Sequence, residues 1–292
     1  MTDIAIITTS YWRDFDACRL LCESIDRHVS GYRMHHIVVA TEDVARFSVL
    51  AGPRRQVVDA DSILPLRLLE VPMRWKGRRY WWSPRLTGPV YGWHLQQLRK
   101  IAMTLAQPCA RVLHVDSDNW FCRRFDAAAL AGAERVPLHV ERGVVDAAMP
   151  EHRTWLDNAH RLLGLPSPPA AGDDYIGQMI VWEKASLRAM TERIEAVTHR
   201  PWAEAVLRMR QFSEYMLYGA MVAGTPELMA RHEPVSDSPC HVYWNGPALD
   251  RAGFADFIRG MRPEQSAIAV QSFTLPPLDL VREFVLDGGA AA

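Results

Sequence analysis

A chain of 292 residues, 49% apolar and 23% charged, is long enough for one large globular domain or two closely joined ones. Lysine and arginine (33) nearly cancel aspartate and glutamate (34), and the formal net charge of −1 excludes a whole-surface nucleic-acid binder, though not a local basic patch. The scattered cysteines, Cys18, Cys22, Cys109, Cys122 and Cys240, offer neither a disulfide framework nor a zinc-ligand spacing.

The first apolar run, residues 4–8, predicts a buried strand that ends in the polar turn Thr9, Ser10, Tyr11, Trp12. Phe15, Cys18, Leu21, Cys22, Ile25 and Val29 then fall on one helical stripe, with Asp14 as a candidate N-cap. Residues 36–40 predict a second strand, and 56–58 and 68–71 weaker ones. Over residues 93–105, Leu95, Leu98, Ile101, Ala102 and Leu105 share a helix face, and Gln96, Arg99, Lys100 and Thr104 lie on the other. Pro108 closes this helix, and residues 111–115 predict the next strand. Further along, 136–140 and 175–182 predict strands, and 151–163 a helix ending at Gly164. Leu187, Met190, Ile194 and Val197 mark another helix, followed by helices over 213–223 and 247–261. Residues 271–292 read as a tail. Strands alternating with helices predict an α/β fold with a mostly parallel central sheet and helices on both faces.

The most informative stretch is Val112-Leu113-His114-Val115-Asp116-Ser117-Asp118-Asn119. Alternation along an extended chain puts Asp116 and Asp118 on one side. Like charges so close at a strand end call for a cation, and a hard divalent ion such as Mn²⁺ or Mg²⁺ takes oxygen ligands and bridges to a diphosphate. In doubly wound sheets ligands bind outside the carboxyl ends of the strands, where the turns 8–12 and 116–119 both emerge. A glycine-rich phosphate loop is absent from the sequence, so a metal would take over the phosphate contact.

Between Arg74 and Lys100 there is no carboxylate. Arg74, Lys76, Arg78, Arg79, Arg85, Arg99 and Lys100 alternate there with Trp75, Tyr80, Trp81, Trp82, Tyr91 and Trp93, and Gly77, Pro84, Gly88, Pro89 and Gly92 predict mostly loop. Such a segment attracts anions and offers rings for stacking. No apolar stretch reaches the ~20 residues that span a bilayer, and no signal peptide is evident. A cytoplasmic protein is expected, with association at a membrane surface left open.

Five segments in this order resemble the GT-A glycosyltransferase superfamily: Ile6-Ile7-Thr8-Thr9-Ser10-Tyr11; residues 92–100; His114-Val115-Asp116-Ser117-Asp118; residues 175–182; and residues 212–219. The resemblance implies a single GT-A-like (Rossmann-like) domain over 1–292, with a nucleotide-binding half to about residue 125 and an acceptor half over about 126–270. It implies a nucleoside-diphosphate sugar donor and a hydroxyl acceptor, a glycan or lipid-linked glycan of a bacterial surface polysaccharide, and no nucleic-acid partner. By position, Thr8, Thr9, Ser10, Tyr11, Arg99, Lys100 and Asp116 would contact the nucleotide. Asp116 and Asp118 would hold Mn²⁺ or Mg²⁺, with His241 as a third ligand and His232 its competitor. Glu214, in the first turn of a helix capped by Ser213, would be the catalytic base, with Asp173 and Asp174 as fallback carboxylates. Tyr215 stands where the commonest inverting pattern has a second acid. A non-catalytic carbohydrate- or nucleotide-binding module and a nucleotidyltransferase are the alternative readings.

Overall fold

The computed structural model describes residues 3–72, 74, 79–271, 274 and 276–287. At its centre is a five-stranded sheet. Ile4–Thr9 is the middle strand, with His35–Val39 and then Arg55–Asp59 on one side and Arg111–His114 and then Ile180–Glu183 on the other. All pair in parallel except Ile180–Glu183, which runs antiparallel at the edge. Alternation along the first strand sends Ile4 and Ile6 toward Leu21 and Ile25 of the helix Phe15–His28, and Ile7 toward Met103 of the helix Gly92–Ala106. Helices cover both faces, which is why the strands read as unbroken apolar runs. The α/β class and parallel-rich sheet are therefore those the sequence predicts.

Local chemistry explains several helix ends. Pro150 opens the helix Pro150–Leu163, and Gly164 closes it in the left-handed region at φ 60°. Ser213 caps the helix Glu214–Ala223, its Oγ accepting from the Met216 N–H at 3.4 Å. Asp14 precedes the helix Phe15–His28 but makes no side-chain cap bond, so the expectation of an N-cap fails there.

Other expectations also change. Residues 175–182 do not form one strand: Gly172–Asp174 pairs with Glu141–Val145, Ile180–Glu183 joins the central sheet, and between them Met179 has φ 58°. The basic aromatic segment is less of a loop than expected, because Leu69–Glu70, Tyr80–Trp82 and Val90–Tyr91 form a small antiparallel sheet. Within it Trp75, Lys76, Gly77 and Arg78 lie outside the described residues, as do residues 288–292 of the expected tail. The rest of that tail contains a helix, Leu278–Val285, whose Val281 and Val285 are buried in the same core as Leu21 and Ile25. Arg282 pairs with Glu23, and the ring of His28 bonds the Val285 carbonyl at 3.1 Å. Among the described residues no helix is long and apolar enough to cross a membrane.

Gly219, inside the helix Glu214–Ala223, faces the ring of Tyr175; a Cβ there would stand 2.0 Å from its Cγ. Alanine gains up to about 1 kcal/mol of helix propensity over glycine, but overpacking a close-packed contact costs about 1–3 kcal/mol. Gly219→Ala is expected to lower the denaturation midpoint; an unchanged or higher midpoint would show that Tyr175 yields freely.

Candidate functional site

Because Ile4–Thr9 and Arg111–His114 are parallel neighbours, both release their turns at one sheet edge. Pairing runs one residue further, with the Val115 N–H donating to the Ile7 carbonyl at 3.0 Å. Ser117 Oγ donates to Ser10 Oγ at 2.8 Å and joins the two turns. The aspartate turn closes through the Asn119 N–H on the Asp116 carbonyl (3.1 Å), while the Val270 N–H holds the Asp118 carbonyl (3.2 Å). Asn119 Nδ2 donates to Gln178 Oε1 at 3.1 Å, which links the turn to the residues before Ile180–Glu183.

Lys100 is the hub of the site. Its buried ammonium lies 2.9 Å from Asp116 Oδ1 and 3.1 Å from Glu214 Oε1, and it donates to Tyr215 Oη at 2.8 Å. The Tyr215 contact is a hydrogen bond; the two carboxylates meet the ammonium as ion pairs, and Asp116 Oδ1 makes no hydrogen bond among the described residues. Burial alone would push a lysine toward neutrality, but the surrounding acids, Asp116 foremost, hold Lys100 well above its ordinary value. Glu214 is also buried, and burial outweighs the lysine, so its carboxyl is raised. Gln97, one helical turn before Lys100, accepts the Glu214 N–H at 3.0 Å through Oε1.

Asp118 is different. It makes no ion pair among the described residues, and burial together with Asp116 and Asp14 outweighs the pull of Lys100 and pushes its carboxyl up to about 7. Asp14 is raised to about 6 by burial and by Asp116. These three acids feel one another across the sheet edge and are only partly neutralised by Lys100. The strand Cys240–Tyr243 pairs with Ala267–Val270, which pairs in turn with Asn119–Phe121 beside the aspartate turn, and the Cys240 thiol is raised by burial and then by Asp118, Cys122 and Asp116.

The other predicted residues divide. Arg99 is buried and points away from Lys100: its charge is felt by Asp61, Asp43 and Asp59, and its Nε and Nη2 make no hydrogen bond among the described residues. Asp43 accepts the Trp12 N–H at 3.2 Å, so this second acidic group borders the first turn. Thr9 Oγ1 is buried without a hydrogen-bond partner among the described residues, and Tyr11 is 42% exposed. Thr8 does not face the turn: its hydroxyl is buried against His35 Nε2 at 3.0 Å. His241 is not brought to the aspartates. Its ring stacks on Phe257 at 4.5 Å, and on an alternating strand the neighbouring Cys240 takes the inward position instead. His232 is fixed elsewhere, with Nδ1 on the Leu228 carbonyl (2.8 Å) and Nε2 on Tyr218 Oη (2.8 Å). Asp173 and Asp174 hold local structure: Asp173 accepts from the Gly143 N–H, and Asp174 from the Ile176 N–H and His152.

Sequence reasoning did not place Gln97 or Cys240 in the site, read Asp14 only as an N-cap, and noted Tyr215 only as a departure from the inverting pattern. Gln97 and Lys100 lie on one helix face at i, i+3, a spacing visible in the sequence; Asp14 and Cys240 gave no signal until the sheet edge was assembled.

Asp116 and Asp118 supply hard oxygen donors whose charge Lys100 only partly balances, which suits Mg²⁺ or Mn²⁺, ions that take one or two carboxylates and leave the remaining positions to water and phosphate. Among the described residues no group of three or more His, Cys, Asp or Glu side chains is arranged so that it could hold a metal ion.

Fold and geometry together define an α/β protein with a cluster of buried charged side chains at the carboxyl edge of its sheet. The chain belongs to a family of unknown function, DUF6492, whose model matches residues 2–252 and so includes both turns, Lys100, Glu214 and Cys240. Among curated proteins no match is found. Among solved structures, the galactosyltransferase LgtC, crystallised with donor and acceptor sugar analogues, is similar in outline: TM-score 0.46 and 10% identity, covering 91% of this chain and 86% of that one.

Proposed function

We propose that the protein is a glycosyltransferase of the GT-A kind, moving a sugar from a nucleoside-diphosphate sugar to a hydroxyl acceptor with the help of Mn²⁺ or Mg²⁺. The observation that carries this reading is the buried Lys100 bridging Asp116 and Glu214 beside a partly neutralised Asp118. Asp116 and Asp118 would hold the ion, which would neutralise the departing diphosphate. Arg99, buried with unpaired donors, would meet the nucleotide from the side of Thr9, Ser10 and Tyr11.

In the transfer itself the acceptor oxygen bonds to the anomeric carbon as that carbon's bond to the diphosphate breaks. Glu214 takes the proton the acceptor loses, and its raised carboxyl makes it a stronger base than an exposed glutamate. Lys100 keeps its proton throughout and holds Glu214 in place.

Thermal-shift titration with UDP, GDP, CDP and ADP, each with and without Mn²⁺, tests the donor site. One nucleotide is expected to raise the midpoint only with metal, and the rise should vanish in Asp118→Ala. Were no nucleotide to move the midpoint, the donor reading would fall and a carbohydrate-binding module would replace it. Glu214→Gln is expected to keep nucleotide binding and lose transfer by about 100-fold or more; a near-normal rate would remove Glu214 as base.

A further inference from the structure

The helix Gly92–Ala106 carries Trp93, Gln97 and Lys100 at i, i+4 and i+7, one stripe leading away from the charged site. Lys100 meets Glu214, Gln97 holds the Glu214 N–H, and Trp93 packs its ring 6.1 Å from Phe212 and 5.5 Å from Trp155. Beyond Trp93 the surface opens into a cleft of about 570 Å³, within the range of small-molecule sites (about 300–1,000 Å³). Tyr91, Trp93 and Trp155 form its apolar wall, and Glu151, Thr154 and Arg210 its polar one. Both tryptophans are half-buried and keep some exposed surface, although Trp155 also packs its ring 5.1 Å from that of His152.

The polar wall is held in an unusual backbone shape. Arg210 has φ 61° and ψ −37°, outside the ordinary left-handed basin, and strain of this kind in a non-glycine residue persists only where the surroundings enforce it. His94 does so: its Nε2–H donates to the Arg210 carbonyl at 2.5 Å, while Nδ1 accepts the Tyr91 N–H at 3.3 Å. The guanidinium lies over Gly88, where a Cβ would stand 2.0 Å from Nη2. Among the described residues it has no carboxylate partner.

We propose that this cleft binds a neutral pyranose unit of the acceptor against Trp155 and Trp93, the latter packed on Phe212, two residues before Glu214. An indole face matches the C–H face of a pyranose ring, and Glu151, Thr154 and Arg210 offer both acceptors and donors to its hydroxyls. One acid and one base on the same wall balance, which suits a neutral sugar better than a uronate. The placement rests on the transferase reading, because it names the acceptor of that same site.

Saturation-transfer-difference NMR with the methyl glycosides of glucose, galactose, mannose and N-acetylglucosamine tests the cleft. At least one glycoside is expected to receive saturation, strongest on the protons of one ring face. Trp155→Ala should reduce that signal at least threefold, and Trp155→Phe should restore part of it. No signal from any of the four, or an undiminished signal in Trp155→Ala with an unchanged circular dichroism spectrum, would overturn the proposal. The metal-dependent nucleotide shift, measured on the same variants, separates the two ideas. Its survival in Trp155→Ala with no sugar signal in the wild type condemns the cleft alone. A sugar signal with no nucleotide shift condemns the transferase reading.

Discussion

Lys100→Met is expected to destabilise the fold by about 3–5 kcal/mol, the usual consequence of removing one partner from a buried ion cluster. Methionine fills much of the same volume, so the loss measures charge and not a cavity. Asp116 and Glu214 would be left facing each other without the ammonium, and Tyr215 Oη would lose its donor. The denaturant midpoint should fall sharply with little change in the slope of the transition. Adding Glu214→Gln to Lys100→Met should recover part of the loss, because the second change removes one of the stranded charges. Additive losses in the double variant would mean that the two groups do not interact as the 3.1 Å contact indicates.

Asp118 yields the second large effect, and its sign is set by protonation. Its carboxyl titrates near 7 and that of Asp14 near 6, above the ~3.9 of an unfolded aspartate. Between pH ~4 and ~7 the folded protein therefore binds more protons than the unfolded chain, and stability falls as pH rises through that window. Ionising Asp118 in the metal-free fold costs on the order of 4 kcal/mol at most. Asp118→Asn is accordingly expected to be more stable than the wild type at pH 8 and close to it at pH 4.5. Comparing variant with wild type at each pH cancels the opposing contributions of buried His35 and His114, whose pKa values are lowered by burial. Mn²⁺ should raise the wild-type midpoint more at pH 8 than at pH 5.5 and should leave Asp118→Asn unmoved. A stability difference independent of pH would show that Asp118 is not a strained carboxylate.

The sheet was legible because its strands carry a local signal. Ile4–Thr9, His35–Val39 and Arg111–His114 are short apolar runs buried on both faces, and the parallel order follows from the helices between them. The pair Asp116 and Asp118 was legible for the same reason: a polar turn after such a run must leave at the carboxyl edge. What was not legible depends on distant packing. Residues 175–179 have strand-like composition, yet Met179 turns the chain, and Gln178 is drawn to Asn119. The polar face of the helix Gly92–Ala106 would ordinarily meet water, but Lys100 and Thr104 are buried because Asp116, Glu214, Tyr215 and His114 supply their partners, and Arg99 is buried with two nitrogens unbonded among the described residues. The choice between Cys240 and His241 turned on strand phase, which depends on the pairing of Cys240 with Ala267.

The Lys100 cluster also constrains how this sequence can drift. Asp116, Glu214 and Tyr215 come from a strand-end turn and a distant helix, yet all three converge on one ammonium. A single replacement strands a buried charge, whereas a joint replacement by apolar residues removes the penalty. Relatives are therefore expected to keep the lysine and both acids together or to exchange them together. A relative that has lost Lys100 but keeps Asp116 and Glu214 as acids should supply a new cation nearby, and finding that cation would trace the charge this site requires.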